Sequence, residues 1–501
     1  MKKINKILVA NRGEIALRVM RTAREMGIKT VAIFSEADRN ALHVRYADEA
    51  VCIGPPPSAQ SYLRGDEIIK VCKKLNVDAV HPGYGFLSEN AAFARLAEEN
   101  GVKFIGPSPE AIETMGSKLA AKAAVSKYDV PLVPGVDHSI TDVEESKRIA
   151  EEIGYPVLIK ASAGGGGKGM RIVEDPSEFE SQMERAVSEA KSAFGDGDVF
   201  VEKFITSPRH IEFQVLGDEH GNVVHLFERE CSIQRRHQKV VEEAPSSVLT
   251  PEVRKAMGEA AVGVAKACNY YGAGTVEFIV DDQLNFYFLE MNTRLQVEHP
   301  ITERVTGVDL VKQQILVAMG KELSLKQENL DQMGHAIECR IYAEDSDNNF
   351  MPCPGKVHKI SQPLGLGVRT DGYVYEGYEI PIYYDPMISK LIVWGKTRQE
   401  AIARMQRALY EYKIIGVKTS IKFLEKIMRC DDFVDGNYNT HFIEKNRDKL
   451  LPEETSDKRI EDMVIISAYI DYFDKISRVY GNKETTQVQS RWKKLNYINH
   501  F

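Results

Sequence analysis

Phe286-Tyr-Phe-Leu-Glu-Met-Asn-Thr-Arg-Leu-Gln-Val-Glu-His-Pro300 is the stretch from which the rest of the chain can be read, because an aromatic-rich run passes directly into two acids, an amide and an arginine. Residues 285–289 have strand composition, so Glu290 and Asn292, two apart, should share one face as the chain leaves the sheet. Upstream, Gly274-Thr-Val-Glu-Phe-Ile-Val280 reads as a second strand, and the polar turn Asp281-Asp282-Gln283 would fold Glu277 back beside Glu290. Two carboxylates and an amide at a strand end suit a hard cation such as Mg²⁺, held jointly with a nucleotide's phosphates. Taken alone, Glu-x-Asn fits an exposed hairpin with charged edges better. The motifs around it reverse that preference.

The chain is 501 residues long, 43% hydrophobic and 28% charged, with room for about three domains. A net charge of −8 without a basic stripe argues against nucleic acid as a partner. Seven cysteines, an odd number without close pairs, fit a reduced cytoplasmic protein better than a disulfide framework or a zinc site, and all seven are expected to be packing residues. Residues 6–10 begin a strand at once, with no signal-peptide pattern. No apolar run approaches the ~18 residues of a membrane span, so neither membrane insertion nor secretion is expected.

Outward from the hairpin, residues 1–113 read as a doubly wound parallel domain: strand 7–10, the turn Asn11-Arg12-Gly13, helix 14–26 closed by Gly27, then strands 30–34, 50–53, 78–81 and 103–105. No Gly-x-Gly-x-x-Gly follows the first strand. His81-Pro-Gly-Tyr-Gly-Phe-Leu-Ser-Glu-Asn90 follows the fourth, where open α/β sheets place ligands, and it reads equally as a tight turn with a helix cap at Ser88. In residues 114–205, a helix bearing Lys118 precedes strand 156–160 and Ala163-Gly-Gly-Gly-Gly-Lys-Gly169. Successive glycines let backbone amides approach an anion, and Lys168 adds charge. The run is not a Walker A loop, and a flexible linker would carry as many glycines. Flanking strands at 157–160 and 170–173 favour a hairpin flap, and strand 199–205 offers its far end to an adenine.

In residues 206–447, strands 210–216 and 223–229 lead to Gln234-Arg-Arg-His-Gln-Lys239. Such a cluster is usually a solvated face, but between strands and near other phosphate signals it reads as a phosphate clamp. Helices 251–269, 308–319 and 398–412 and strands 336–341 and 391–394 complete this region. After residue 448 the composition turns polar, and a last helix, 458–478, places Met463, Ile466, Tyr469, Ile470 and Phe473 on one stripe expected to pack on the main body.

Together, Asn11-Arg-Gly-Glu-Ile-Ala, the His81 loop, the glycine flap, Gln234-Arg-Arg-His-Gln-Lys-Val-Val-Glu-Glu-Ala-Pro and Glu290-Met-Asn-x-Arg-x-Gln-Val-Glu-His-Pro resemble the biotin carboxylase family, a branch of the ATP-grasp superfamily, from Lys6 to about residue 445. The resemblance implies an α/β, ATP-grasp fold: an N-terminal doubly wound domain (1–113), a mobile lid (114–205), a catalytic core with a mixed α+β C-terminal domain (206–447) and a helical extension (448–501). It implies ATP, Mg²⁺ or Mn²⁺, and bicarbonate, with biotin as the carboxyl acceptor. Lys118, Lys160, Gly166 and Gly167 would meet the phosphates, with His237 and Gln234 near the same nucleotide. Glu202, Lys203 and the Ile205 backbone would read the adenine end, and Glu277, Glu290 and Asn292 would hold metal. Glu298 is similar in position to the family's general base. Arg294, Gln296 and the Val297 backbone would clamp bicarbonate, Lys239 would hold carboxyphosphate, and Arg340 would stabilise the biotin enolate.

Tyr84, Gly85, His210 and Glu212 resemble biotin-pocket residues. If every-second-residue spacing persists from Glu290 to Glu298, one extended segment carries metal, clamp and base on a single face. No Met-Lys-Met attachment signature occurs, so the implied partners are a separate biotin carboxyl carrier protein and a carboxyltransferase subunit, with a homodimer as the assembly and the tail helix as a further contact for them. Another ATP-grasp ligase, or a nucleotide-binding regulatory subunit without turnover, is the alternative.

Overall fold

The computed structural model of the chain describes residues 3–135, 142–161, 170–194, 197–451 and 458–480. The glycine run with Gly166, Gly167 and Lys168 lies outside them. The chain divides into two compact units, Met1–Leu451 and Pro452–Phe501.

The first unit opens with five strands, β1 (Lys6–Val9), β2 (Lys29–Ser35), β3 (Glu49–Gly54), β4 (Ala79–His81) and β5 (Lys103–Phe104), paired in parallel in the order β3-β2-β1-β4-β5. Strand order reverses between β1 and β4, so the loops after these two strands meet at the sheet's crevice, where such folds take ligands. Asn11, just past β1, donates from Nδ2 to the carbonyls of Pro82 and Tyr84, both at 2.7 Å. Gly83 is required between them: its φ is +64°, and a Cβ there would lie 3.0 Å from that Asn11 nitrogen. Helix α1 (Gly13–Glu25) follows β1 with Ile15, Ala16, Val19, Met20 and Ala23 buried.

A three-stranded antiparallel sheet comes next: β6 (Val157–Ala161), β7 (Met170–Val173) and β8 (Val199–Lys203), in the order β7-β6-β8. β6 and β7 pair with each other, as a flap would require, and the segment joining them contains the glycine run.

The largest sheet has eight strands. It contains β9 (Arg209–Gly217), β10 (Val223–Arg235), β11 (Gln238–Ala244), β12 (Gly272–Val280), β13 (Phe286–Asn292), β14 (His335–Tyr342), β15 (Val368–Gly372) and β16 (Met387–Gly395), in the order β13-β12-β9-β10-β11-β14-β16-β15. Alternation decides its faces. On β9, Ile211, Phe213 and Val215 are fully buried in one apolar cluster with Val276, Phe278 and Val280 of β12 and with Met257, Ala261 and Val264 of helix α2 (Pro251–Ala267). Burying each such side chain contributes about 1.5–3 kcal/mol. The intervening residues, Glu212 and Gln214 of β9 and Thr275 and Glu277 of β12, are buried too, yet polar. A polar face that is also buried is expensive unless its groups are paired, and it is where ligand chemistry can be placed.

Two helices follow β13: α3 (His299–Thr306) and α4 (Leu310–Ala318). Leu310, Val311, Ile315 and Ala318 of α4 pack with the apolar face of α1, tying the large sheet to the N-terminal strands. Arg18 of α1 adds a buried ion pair to Glu303 (2.6 Å) and a half-buried one to Asp309 (2.8 Å). Helix α5 (Arg398–Glu411) covers β16 with Ala401, Met405 and Leu409.

All seven cysteines are free, and Cys72, Cys231, Cys339 and Cys430 are buried as expected. Cys52 is exposed, so it is not a packing residue; it lies on β3, the edge strand of the parallel sheet. The second unit contains helix α6 (Lys458–Tyr480). Its Met463, Ile466, Tyr469, Ile470 and Phe473 are 51–67% exposed. Among the described residues, no helix is long and apolar enough to cross a membrane.

Candidate active site

The hairpin of β12 and β13 sets Glu277 directly opposite Glu290 and Thr275 opposite Asn292. The register contains a bulge: Phe278 pairs with Phe288, while Glu277 pairs with Glu290, leaving Leu289 as the extra residue. The bulge has a chemical consequence. Phe286 and Phe288 join the apolar cluster under the sheet, and a regular strand would have kept Glu290 and Asn292 on that same side. The extra residue turns both over to the polar face, beside Glu277. The carboxylate oxygens of Glu277 and Glu290 suit Mg²⁺ or Mn²⁺. Asn292 points Nδ2 at Glu277 (3.0 Å) and Oδ1 at Arg294 (2.8 Å), so its amide must turn over to serve as a ligand.

Lys239 is the centre of the face. Its ammonium meets Glu212 at 2.5 Å, Glu277 at 2.9 Å and Glu298 at 2.7 Å. It comes from the β10–β11 hairpin, whose tip residues Arg236 and His237 have φ of 50° and 64°, the left-handed pair that a two-residue turn demands. The turn aligns Gln234 with Lys239, and Gln234 donates to the Cys231 carbonyl (2.9 Å), while His237 stays exposed. Burial pushes the Glu298 carboxyl up, but Lys239, Arg340 and Arg229 outweigh it and hold the group well below the usual carboxylate range. Glu277 is likewise raised by burial and driven well below by Lys239 and His210. His210 Nε2 lies 2.9 Å from Glu277, without the alignment of a hydrogen bond. His210, Glu212 and Glu277 bring ligand atoms within 4.8 Å of one another, a second set able to approach a cation.

Arg340 reaches the same carboxylate from β14: Nη2 donates to Glu298 (2.9 Å) and Nε to Glu242 (2.6 Å). Burial first, and then the charge of Glu298, push Glu242 up to about 7 against Arg340's opposing pull. Gln296 donates to Glu277 (2.7 Å), and Arg294 donates to Glu89 (2.8 Å) and Asn292. Arg294, Gln296 and Glu298 therefore gather around one carboxylate-lined floor.

They do not do so along one extended strand. β13 ends at Asn292, the chain turns at Val297 and Glu298, and Glu298 is the N-cap of α3. Pro300 is the physical reason: it suits the first turn of a helix, where its missing N–H costs nothing. His299, kept neutral by burial, closes the turn with an Nδ1–H bond to the Gln296 carbonyl (2.7 Å).

At the other end of the site, Lys160 and Lys122 both pair with the buried carboxylate of Glu202. Burial raises that carboxyl, and the two lysines outweigh it and lower it. Lys203 donates instead to the carbonyls of Gly154 (2.8 Å) and Tyr155 (3.0 Å), holding the approach to β6, and Ile205 follows two residues later, half-buried. Lys118 begins the helix Lys118–Val125, exposed. Tyr84 and Gly85 sit at the switch point of the parallel sheet, with Tyr84 donating to Glu14 of α1.

Four residues of this site are not singled out above: Arg229 and Lys390 lie outside the motifs, and Glu89 and Glu242 lie within the His81 and Gln234 stretches without an assigned role. Arg229 is fully buried and donates to Glu212 (2.5 Å), Gln214 (2.7 Å), Thr302 (3.0 Å), Thr275 (2.9 Å) and Gln296 (2.8 Å), binding the floor into one network. Glu89, Glu242 and Lys390 each touch a predicted site residue or its backbone. An arginine amid buried strand residues was the available signal for Arg229.

Comparison with known proteins places these elements. Residues 3–112 match the biotin carboxylase N-terminal domain, residues 117–326 the ATP-binding domain of the carbamoyl-phosphate synthase L chain, and residues 338–445 the biotin carboxylase C-terminal domain. The chain is 58% identical over 443 residues to a pyruvate carboxylase subunit from Methanothermobacter thermautotrophicus, covering 88% of this chain and 90% of that one. It is 56% identical over 442 residues to biotin carboxylase 1 of Bacillus subtilis, covering 88% and 98%. Among solved structures, the biotin carboxylase domain dimer of Hydrogenobacter thermophilus 2-oxoglutarate carboxylase, in complex with MgADP, ADP and bicarbonate, superposes with a TM-score of 0.84 at 51% identity, covering 91% of this chain and 100% of that one.

Proposed function

The chain belongs to the biotin carboxylase family, and on that premise we infer that it is an ATP-grasp ligase that carboxylates biotin with MgATP and bicarbonate, through carboxyphosphate. The observation that carries the reading is Glu298 held between Lys239 at 2.7 Å and Arg340 at 2.9 Å. Those cations make the carboxylate a weak base. Bicarbonate and the γ-phosphate are anions that compete for the same cations, so their arrival raises the proton affinity of Glu298 as a proton must be taken. Glu298 removes the bicarbonate proton. The freed oxygen attacks the γ-phosphorus, the bond to the β-phosphate oxygen breaks, and ADP leaves.

Carboxyphosphate, held by Lys239, then splits into CO₂ and phosphate. Phosphate takes the proton of the biotin ureido nitrogen, and that nitrogen bonds to CO₂ while Arg340 stabilises the charge on the ureido oxygen. Arg294, Gln296 and the Val297 amide orient bicarbonate. Lys118 and Lys160 neutralise phosphate oxygens, Gly166 and Gly167 offer them backbone amides, and Gln234 and His237 lie near the same nucleotide. Glu202, Lys203 and Ile205 take the adenine end. Tyr84, Gly85, His210 and Glu212 belong to the biotin pocket. Glu277 and Glu290, with Asn292 turned over, would hold the Mg²⁺ or Mn²⁺ that offsets phosphate charge.

We assign the biotin to a carrier protein and the second half-reaction to a carboxyltransferase partner, with the chain as a homodimer. A cytoplasmic location fits seven unpaired cysteines. A regulatory role without turnover fits less well, because Glu298, Lys239 and Arg340 are all in place and in contact.

The test is ATP cleavage by the purified protein with and without bicarbonate, using free biotin as acceptor. Cleavage should rise with bicarbonate. Arg340→Ala should lose at least about 100-fold in biotin carboxylation and distinctly less in bicarbonate-dependent ATP cleavage, since its charge is used mainly on the ureido oxygen. ATP cleavage indifferent to bicarbonate would overturn the reading.

A further inference from the structure

We propose that Lys390 is a positioning residue for the Glu298 base, acting through the carbonyl of Val297. Lys390 is fully buried on β16, and its Nζ donates to Val297 O at 2.7 Å across 93 residues of sequence. That carbonyl belongs to the peptide group whose nitrogen is Glu298's own. Holding it fixes the plane of the peptide from which the Glu298 side chain springs. Glu298 makes no side-chain capping bond at the start of α3, because its carboxylate is turned to Lys239 and Arg340 instead. Arg340 and Lys390 are directly opposed neighbours on β14 and β16. One holds the carboxylate of the base from the front, and the other holds the backbone behind it.

The energetics point the same way. Two like charges directly opposed on neighbouring strands repel, and a buried ammonium must recover its lost hydration. A leucine or methionine would pack at this position without either cost. The structure compensates Lys390 with Glu14 of α1, 3.1 Å away and itself buried, which in turn accepts a hydrogen bond from Tyr84. Asp371, in register with Lys390 on β15, adds a second negative charge nearby. Glu14 and Asp371 thus offset the buried charge, whereas the direction of the ammonium is set by its bond to Val297 O. The contact with Val297 is what that cation does for the site.

The inference rests on the biotin carboxylase reading, and the experiment separates the two. Lys390→Met, Glu14→Gln and the double variant are compared with the unaltered chain for bicarbonate-dependent ATP cleavage, with separate KM values for bicarbonate and MgATP and a melting curve. If the unaltered chain responds to bicarbonate, the functional reading stands whatever the variants do. Lys390→Met should lower kcat/KM for bicarbonate at least 10-fold while the KM for MgATP stays within twofold. Glu14→Gln, which leaves the Val297 contact in place, should keep kcat/KM for bicarbonate within threefold. Should Lys390→Met fail to fold, the double variant, which strands no buried charge, carries the same expectation as Lys390→Met. A bicarbonate kcat/KM within twofold of the unaltered chain in a folded variant lacking Lys390 overturns the proposal. So does a KM for MgATP that rises as much as kcat/KM for bicarbonate falls, or an equal loss in Glu14→Gln, because a general structural role would produce either.

Discussion

Glu242 and Glu243 are adjacent on β11, both buried, and their carboxyl groups move in opposite directions. Glu242 faces Arg340 and the base; burial and the charge of Glu298 raise it to about 7. Glu243 points to the other side, where His335 (2.6 Å) and Arg398 (2.8 Å) overcome burial and lower it to about 2. The linkage differs in sign. Glu242, raised in the fold, contributes stability fully present below its ordinary 4.5 and lost as pH rises toward 7. Glu243, lowered in the fold, contributes stability present above 4.5 and lost as pH falls toward 2. That second contribution is on the order of 3 kcal/mol. Denaturant unfolding of the unaltered chain and of Glu243→Gln should therefore show a stability gap that narrows steadily from pH 5 to pH 2.5. A gap independent of pH would refute the assignment.

Among the elements, the turn between β13 and α3 is the one on which the site depends. Its C-terminal anchor is Gly307, which closes α3 at φ of 72° with its N–H on the Glu303 carbonyl (2.9 Å). A Cβ added there would meet nothing within 4 Å, so Gly307→Ala isolates backbone strain from packing. We expect a loss of about 1 kcal/mol in denaturant stability with MgATP KM unchanged. Asparagine, which tolerates the left-handed conformation, should lose less. At this scale the sequence was only partly legible. The apposition of Glu277 and Glu290 followed from a short polar turn, because a hairpin's register is set by its loop. The bulge at Leu289 was not legible, since nothing local tells an alternating strand that it will be re-phased. Pro300 did signal a helix start, yet the every-second-residue spacing of Arg294, Gln296 and Glu298 imitated a strand.

At the scale of the molecule, Met1–Leu451 contains every residue assigned to the reaction, and Pro452–Phe501 is a separate unit. A chain ending at Leu451 should therefore keep bicarbonate-dependent ATP cleavage and MgATP KM within about twofold; a loss beyond tenfold would show that the second unit contributes to the site. The apolar side chains of α6 remain exposed, from Phe473 at 51% to Met463 at 67%. A stripe at helical spacing establishes amphipathicity and not what, if anything, covers it.

By itself, the sequence determined the chemistry available and much of the local form: the parallel opening domain, the two hairpins that carry Lys239 and Glu277, and residue types suited to phosphate, bicarbonate and metal. These are short-range matters, governed by alternation, turn residues and motif spacing. Only the tertiary structure decided that Arg229 binds the floor together, that Glu89 holds Arg294, that Glu242 shares Arg340 with the base, and that Lys390 and Glu14 stand behind it. Each of those contacts joins segments far apart in the chain, and its worth depends on burial and on which charges become neighbours. Neither is a property of local sequence. The stretch from Phe286 to Pro300 shows both sides of the division, since its residues announce the metal, the clamp and the base, while a bulge, a turn and a distant lysine decide where they point.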